Sequence, residues 1–426
     1  MFTKEENDSL TRVAAGTPMG NLMRRYWMPA LLSSELPTAD CPPVRVKLLG
    51  ERLIAIRDTG GRVGLLDEFC AHRGTSLFLG RNEEGGLRCV YHGWKYDVEG
   101  KCVDMPCETP ETDFKDKIQL KSYPVEELGG IVWTYMGPPE KRPALPKLEW
   151  TQVPATHRHV GKTWEECNWL QALEGGLDTA HISFLHQGLP PGARTSDRAK
   201  QYRVRSQAPK IEVELTNYGF CYAGIRPLGE EGNYVRAYHY VMPFHKYHPD
   251  QLGKQSEIQD TRISGHMWVP IDDENTMVYN LTYRFGEVPL NEEEESARNA
   301  ERVGELSAEY RKVRNRDKDW FINREVQNAR TYTGIEGIYT QDQAVQESMG
   351  PIVDRTREHL GSIDKAIVAA RLLLQRAVKT VQTGGDPPAT DSSYYSVRAI
   401  EKVLPRDVRW QDAMKDAIYP GTNTGR

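Results

Sequence analysis

Two groups of side chains in this sequence have the types and spacing to hold metal ions. The first lies in CAHRGTSLFLGRNEEGGLRCVYHGW, where Cys70-x-His72 is followed, after a 16-residue gap (73–88), by Cys89-x2-His92. Each half supplies one thiolate and one imidazole. Zinc fingers usually place Cys with Cys and His with His, often with both histidines on a helix. Here each of two loops carries a mixed pair, which suits a [2Fe–2S] cluster with two thiolates on one iron and two imidazoles on the other. Neutral imidazoles in place of anionic thiolates raise the potential relative to an all-cysteine cluster. Gly74, Gly86 and Gly93 permit the tight backbone such loops need, and Tyr91 and Trp94 can shield the cluster from water. The alternatives for the same four residues are a zinc site, or buried cysteines and surface histidines that hold nothing. Cys102 and Cys107 lie nearby and read as ordinary thiols.

The second group lies in NWLQALEGGLDTAHISFLHQG. Asp178 and His181 are three apart and share a helix face. His181 and His186 are five apart, so an unbroken helix would splay them. The chain must bend or end between them if both are to reach one ion. A protein with an apparent electron-transfer centre needs something to reduce. Two histidines and a more distant carboxylate form the facial triad of a non-haem Fe(II) oxygenase, with coordination positions left open. The best-placed acid is Asp342 in GIYTQDQAVQESMG, read as sitting at the N-terminus of a helix. Glu347 and Asp354 compete with it.

The rest of the chain must position these groups. Its 426 residues suggest two or three domains. Lys+Arg number 55 against Asp+Glu 60, for a net charge of −5, which argues against a dedicated nucleic-acid binder. No apolar run approaches the roughly 18 residues of a membrane span, and the opening MFTKEENDSL shows no secretory signal. A cytoplasmic protein with no membrane partner is expected. Seven cysteines, an odd number in a long chain, favour metal binding over a disulfide framework.

Residues 1–40 read as helical and then extended, with a first helix after Asn7-Asp8 and a break at Gly16-Thr17-Pro18. VRVKLLG, ERLIAIRD and RVGLLDEFC are short β-branched and leucine-rich runs separated by turn residues, the pattern of an antiparallel meander. YPVEELGGIVWTYMG adds two strands, and the proline-rich 137–150 reads as a boundary. Residues 164–186 read as helical. IEVELTNYGFCYAGIR, YVRAYHYVMPF and TMVYNLTYRF read as strands. Helices are expected over 291–314, near Asp342 and across KAIVAARLLLQRAV, and 384–393 as a surface loop.

With both constellations in view, the chain resembles the oxygenase (alpha) subunit of Rieske non-haem iron aromatic ring-hydroxylating oxygenases, nearest the phthalate dioxygenase branch. TPMGNLMRRYWMPALL, PPVRVKLLGERLIAIRD, RCVYHGWKYDVEGKC and DQAVQESMGPIVDRTREHLGSID carry that likeness over nearly the whole chain. The resemblance implies an α+β protein. A segment 1–40 would pack on the catalytic domain, 41–145 would form an all-β Rieske [2Fe–2S] domain, and 146–426 a helix-grip-type catalytic domain with an antiparallel sheet. It implies Cys70 and Cys89 on the inner iron, His72 and His92 on the outer, and His181, His186 and Asp342 on the mononuclear Fe(II). Asp178 matches the acid that bridges the two centres between neighbouring subunits of a head-to-tail trimer, which could pair into hexamers. Naphthalene-type relatives carry Asn four residues before this Asp, where this chain has Glu174.

The implied activity is ring hydroxylation with O2. Electrons would come from a separate NAD(P)H-dependent flavin and ferredoxin-type reductase. Branch members act on small aromatic substrates, commonly aromatic carboxylates, so cis-dihydroxylation is the first reading. Monooxygenation, as O-demethylation or aryl-ether cleavage, is the alternative, and an electron carrier without oxygen chemistry is a third. An anionic substrate needs a cationic anchor. Arg203, Arg205, Arg236 and Lys246, read as lying in or near strands, are candidates, and Phe220, Tyr222, Tyr238 and Phe285 could line an aromatic pocket.

Overall fold

The computed structural model describes residues 2–188, 198–249, 262–291 and 305–421. The chain divides into two compact units, Val13–Leu145 and Met1–Arg12 with Pro146–Arg426. The division falls elsewhere than the sequence suggested. Only residues 1–12 join the larger unit, whereas 13–40 belong to the smaller one. The reason is β1 (Trp27–Leu32), which pairs antiparallel with a later strand of the smaller unit, Ile131–Tyr135. The indole Nε1 of Trp27 donates to Pro143 O at 2.8 Å within that unit.

In the smaller unit, β2 (Val44–Leu48), β3 (Glu51–Arg57), β4 (Val63–Asp67) and β9 (Ser122–Tyr123) form one sheet in that order. The first three strands are the meander read from the sequence. A second sheet holds β5 (Arg81–Glu83), β6 (Gly86–Arg88), β7 (Lys95–Tyr96) and β8 (Cys102–Asp104). A third joins β1 to β11 (Ile131–Tyr135) and β10 (Val125–Leu128). Ile54, Leu66, Leu77, Leu87, Tyr96 and Leu120 share one core with Cys70, Cys89 and Trp94. The two loops that carry the Cys–His pairs thus grow from strand ends anchored in the unit's hydrophobic centre.

The larger unit is built on an eight-stranded antiparallel sheet. Its order is β12 (Arg158–Glu165), β18 (Thr276–Arg284), β17 (Arg262–Pro270), β16 (His245–Pro249), β15 (Asn233–Val241), β14 (Gly219–Pro227) and β13 (Lys210–Leu215), with β19 (Ile400–Leu404) paired to β15. Cross-strand register places Tyr222 opposite Tyr238, Gly224 opposite Arg236, Tyr240 opposite Lys246 and His266 opposite Asn280. Side chains alternate between faces, so these residues share one face. The opposite face carries Cys221, Ala223, Val235 and Ala237, which pack with Ile400, Trp410 and Met414.

Helix α1 (Lys4–Thr11) starts before Asn7-Asp8, because Thr3 and Glu6 close a reciprocal capping box. Helix α2 (Pro18–Met23) follows the expected break. Helix α3 (Trp169–Leu177) packs on β17, and α6 (Lys365–Gln382) lies against β13. The helical reading of 164–186 needs trimming: Trp164 belongs to β12, and beyond Leu177 only the 3-10 turn His181–Ser183 remains. Of the helix expected over 291–314, residues 292–304 lie outside the described residues, and 305–314 form turns and isolated bridges. Asp342 does not open its helix. α5 spans Ile338–Ser348 from a cap at Gly337, which places Asp342 in its second turn. Arg203 and Arg205 lie on helix α4 (Arg198–Arg205) rather than on strands.

Candidate functional site

The two loops of the smaller unit repeat one construction. Each loop begins at its cysteine, Cys70 in one and Cys89 in the other, and both are buried. In the first loop Gly74 N donates to Cys70 O, and Cys70 N to Thr75 O, each at 2.9 Å. In the second, Gly93 N donates to Cys89 O at 2.9 Å and Cys89 N to Trp94 O at 2.8 Å. Both closures need a left-handed residue, and Gly74 and Gly93 take φ of +71° and +76°. At Gly93 any Cβ would also stand 2.5 Å from Pro106.

This symmetry brings the side chains together. The His72 and His92 rings lie 4.4 Å apart, and Trp94 stacks on His72 at 4.6 Å. His92 Nδ1 is buried without a hydrogen-bond partner among the described residues, as a nitrogen kept for a metal would be. Burial, with Cys70 alongside, pushes the Cys89 thiol up, an effect that coordination to a metal reverses. Two thiolates and two imidazoles so placed fit a [2Fe–2S] cluster. Tyr96, which sequence reasoning passed over, completes the pocket. Its hydroxyl accepts from Ala71 N and lies 3.2 Å from Cys70 Sγ, so its own proton is free to point at the sulfur. No local pattern marks it, because β7 is only two residues long and both Lys95 and Tyr96 are buried.

In the larger unit, the helix ends and the chain turns where the His181–His186 spacing required a bend. His181 Nε2 lies 3.4 Å, and His186 Nε2 3.2 Å, from Asp342 Oδ1. One ligand atom from each of the three residues falls within 4.8 Å of the others, a grouping able to hold a metal ion. The far side of each ring is occupied. His181 Nδ1 lies 3.4 Å from Asp178 Oδ2, and His186 Nδ1 lies 2.7 Å from Gln341 Oε1. Both Nε2 atoms therefore face one space, and two imidazoles with one carboxylate fit Fe(II) with open positions. Burial opposes the ionisation of Asp342, but His186 and His181 outweigh it and hold the carboxyl below its usual range. Burial likewise opposes, and His181 and the Ala180 amide outweigh, in lowering Asp178. Glu347 and Asp354 do not join the group. Glu347 is buried and accepts from Glu166 N and Trp320 Nε1, and Asp354 caps Thr356 at the surface.

The sheet holds the helix end that delivers Asp178 and His181. The last carbonyls of a helix lack intrahelical partners. Here Lys246 Nζ donates to Gly176 O, Tyr222 Oη to Leu177 O at 2.9 Å, and Arg226 Nη2 to Thr179 O at 2.7 Å. Thr179 Oγ1 pairs with Tyr238 Oη at 2.6 Å. Close approach makes this possible, because a Cβ on Gly176 would stand 2.1 Å from the Trp268 ring and one on Gly224 2.9 Å from Thr179. On the opposite side of α3, Glu174 is fully engaged. It meets Arg355 at 2.8 Å and Arg371 at 2.6 Å. Burial raises its pKa, but the two guanidiniums outweigh that and keep it ionised. The residue that departs from the naphthalene-type pattern is therefore part of a buried ionic lock.

The cationic candidates divide. Arg205 turns outward to Glu231 at 2.7 Å. Arg236 is buried and meets Glu401 at 3.0 Å and Pro249 O at 2.7 Å. Lys246 is buried, 5.0 Å above the Tyr238 ring; burial, reinforced by Arg236, pulls it down to about 7 while Asp342 and Asp178 pull it back. Arg203 is half-buried, and its charge is felt at His186. Sequence reasoning missed Arg226, which is wholly buried, with Nε and Nη1 unpaired among the described residues. Burial, aided by Arg236, pushes it down to about 10. Its alternation with Tyr222 and Gly224 was the available signal. Of the aromatics, Tyr222 stacks on Tyr238 at 4.7 Å beside Phe220, whereas Phe285 lies beneath Arg398.

Residues 26–124 match the family model of the Rieske [2Fe-2S] domain, and 134–422 match the LigXa C-terminal domain like model. The chain is 40% identical to the 3-chlorobenzoate-3,4-dioxygenase oxygenase subunit of Comamonas testosteroni, over 98% of this chain and 99% of that one. It is 38% identical to the phthalate 4,5-dioxygenase oxygenase subunit of Pseudomonas putida, over 97% and 94%. Among solved structures, NdmA of Pseudomonas putida CBB5 shares the fold, with a TM-score of 0.62 at 19% identity over 91% of this chain and 98% of that one. The two loops, the three converging ligand atoms and the two family matches agree: this chain belongs to the Rieske non-haem iron aromatic ring-hydroxylating oxygenases, as an oxygenase subunit of the phthalate dioxygenase branch.

Proposed function

We propose that this chain is a terminal oxygenase that cis-dihydroxylates an aromatic carboxylate, with electrons from a separate NAD(P)H-dependent flavin and ferredoxin-type reductase. The observation that carries the reading is a two-histidine, one-carboxylate centre beside a sheet face that bears buried cations. Cys70, His72, Cys89 and His92 would hold the [2Fe–2S] cluster, and His181, His186 and Asp342 the Fe(II). When bound, these groups supply one-electron transfer and O2 activation. The chain itself supplies placement. Lys246, Arg236 and Arg203 would anchor the substrate carboxylate, while Tyr238 and Phe220 wall the ring. A carboxylate is favoured there, because an uncharged analogue offers Lys246 and Arg203 no opposite charge. The relatives named for 3-chlorobenzoate and phthalate, both aromatic carboxylates, support the substrate class.

Asp178 would orient His181 and hydrogen-bond His92 of the partner subunit in a homotrimer. Apolar side chains exposed near the loops of the smaller unit, Phe78, Leu79, Val90 and Tyr91, support an interface there. No helix among the described residues is long and apolar enough to cross a membrane. The test is a single turnover of chemically reduced, iron-loaded protein with labelled O2 and a panel of phthalates, substituted benzoates and aryl ethers. Two labelled oxygens in a cis-diol are expected. One labelled oxygen, or loss of an alkyl or aryl group, would replace dihydroxylation by monooxygenation. Turnover of neutral analogues alone would remove the carboxylate assignment.

A further inference from the structure

The two histidines of the mononuclear centre are held by unlike partners. His181 faces the carboxylate of Asp178, at 3.4 Å. His186 faces a neutral amide, Gln341, at 2.7 Å. The hydrogen bonds around Gln341 settle which way each group points. Gln341 is buried, and its Nε2 donates to Ile335 O at 2.8 Å. A backbone carbonyl can only accept, so the amide NH2 must face Ile335 and the amide oxygen must face His186. That oxygen can only accept as well, so His186 Nδ1 carries the proton. Nε2 is left with its lone pair, 3.2 Å from Asp342 Oδ1.

Gln341 is itself rigid. It lies one residue before Asp342 in α5, and its own N–H bonds Gly337 O at 3.0 Å. One helical turn therefore supplies a ligand and, from the adjacent position, orients a second ligand that comes from another segment. The difference between partners has a chemical consequence. A carboxylate partner makes an imidazole a stronger donor to metal than an amide does. It also fixes the charge of the site. Asp342 and Asp178 together match one divalent ion, and a neutral third partner adds no excess charge in a partly buried pocket.

We propose that Gln341 is a positioning residue that locks His186 in the Nδ1–H tautomer and makes it the more weakly bound of the two imidazoles. The proposal rests on His181, His186 and Asp342 being the iron ligands. Its test is the rate at which a ferrous chelator strips mononuclear iron, anaerobically, from the full-length protein. Cluster absorbance serves as an internal measure of folding. Gln341→Leu is expected to release iron about tenfold faster or more, the usual cost of losing such a partner, with the cluster spectrum unchanged. Gln341→Glu keeps an acceptor for Nδ1 and is expected to release iron at the wild-type rate or more slowly. His186→Ala is expected to lack mononuclear iron.

Wild-type release from Gln341→Leu, with iron absent from His186→Ala, would overturn the role of Gln341 and leave the ligand set standing. Full mononuclear iron in His186→Ala would overturn the ligand set itself. Should Gln341→Leu not fold, Gln341→Glu decides, since faster release from a variant that keeps the acceptor contradicts the proposal.

Discussion

Gly176 gives the sharpest test of how the iron site is positioned. It is the penultimate residue of α3, and a Cβ there would lie 2.1 Å from Cη2 and Cζ2 of Trp268. Carbon atoms in contact sit about 3.5–4 Å apart, so Gly176→Ala requires roughly 1.4 Å of separation. Trp268 cannot readily give it. The ring is buried on β17, a strand hydrogen-bonded on both sides. The helix end must move, and with it the carbonyls of Gly176, Leu177 and Thr179 that Lys246, Tyr222 and Arg226 hold.

The stability cost is modest. Overpacking costs about 1–3 kcal/mol, and the better helix propensity of Ala returns about 1 kcal/mol, leaving roughly 0–2 kcal/mol. The geometric cost is larger, because ligand positions tolerate only about 0.5 Å and Asp178 and His181 follow directly. The variant is expected to melt within a few degrees of wild type yet hold little mononuclear iron and turn over about a hundredfold more slowly. Gly175→Ala is the control, since its Cβ would meet the far end of the Gln346 side chain at 2.1 Å, which can swing aside. Calorimetry, iron content and single-turnover rate on both variants decide the matter. Full iron and activity in Gly176→Ala, or equal damage in both, would refute this account of the site.

Asp178→Asn should keep near-normal iron and cluster content while turnover slows severely; full activity in a steady-state assay with reductase would remove the bridging role. Tyr96→Phe deletes one hydrogen bond to a cluster sulfur, about 1–1.5 kcal/mol. It should lower the cluster midpoint potential by about 40–60 mV in a spectroelectrochemical titration, and an unchanged potential would show that the hydroxyl does not donate to Cys70. Burial pulls both His239 and His245 down to about 3. Unfolded histidine binds a proton below about 6.5, while the folded rings stay neutral down to about 3, so stability is full above 6.5 and falls as pH drops. Lowering the pH from 7.5 to 5 should cost the larger unit about 2 kcal/mol for each ring, read from urea unfolding at each pH. A flat stability over that range would contradict their burial as neutral rings.

Much of the fold was legible because strands announce themselves locally. The meander of β2, β3 and β4, and the pair β10 and β11, follow from short apolar runs punctuated by turn residues. β16 and β17 were not read, and the parts of β17 that face the site, His266 and Trp268, are polar or bulky rather than regularly apolar. β1 shows why the unit boundary was misplaced. Its pairing with β11 spans about a hundred residues, and no local pattern encodes that contact. Asp342 was identified as an acid near a helix start, but α5 begins four residues earlier at Ile338. The physical reason for its position is its distance to two histidines, not the helix dipole.

The residues that were missed share one property. Gln341, Arg226, Tyr222 in its capping role, and Tyr96 act on backbone carbonyls, ring nitrogens or sulfurs supplied by other segments. Six of the seven candidate metal ligands come in local pairs, Cys70 with His72, Cys89 with His92 and His181 with His186, because two donors from one short stretch reach an ion at little entropic cost. Such pairs leave a spacing in the sequence. Residues that orient the ligands face no such demand, and any donor or acceptor of the right length on a rigid neighbouring element will serve. The Asp178–His181 turn illustrates the consequence. Its candidate ligand is written in four adjacent residues, whereas its position is set by Lys246, Tyr222, Arg226 and Trp268, on three strands spread across nearly fifty residues. A change on those strands that leaves every ligand in place is therefore expected to disable the centre as effectively as the loss of a ligand.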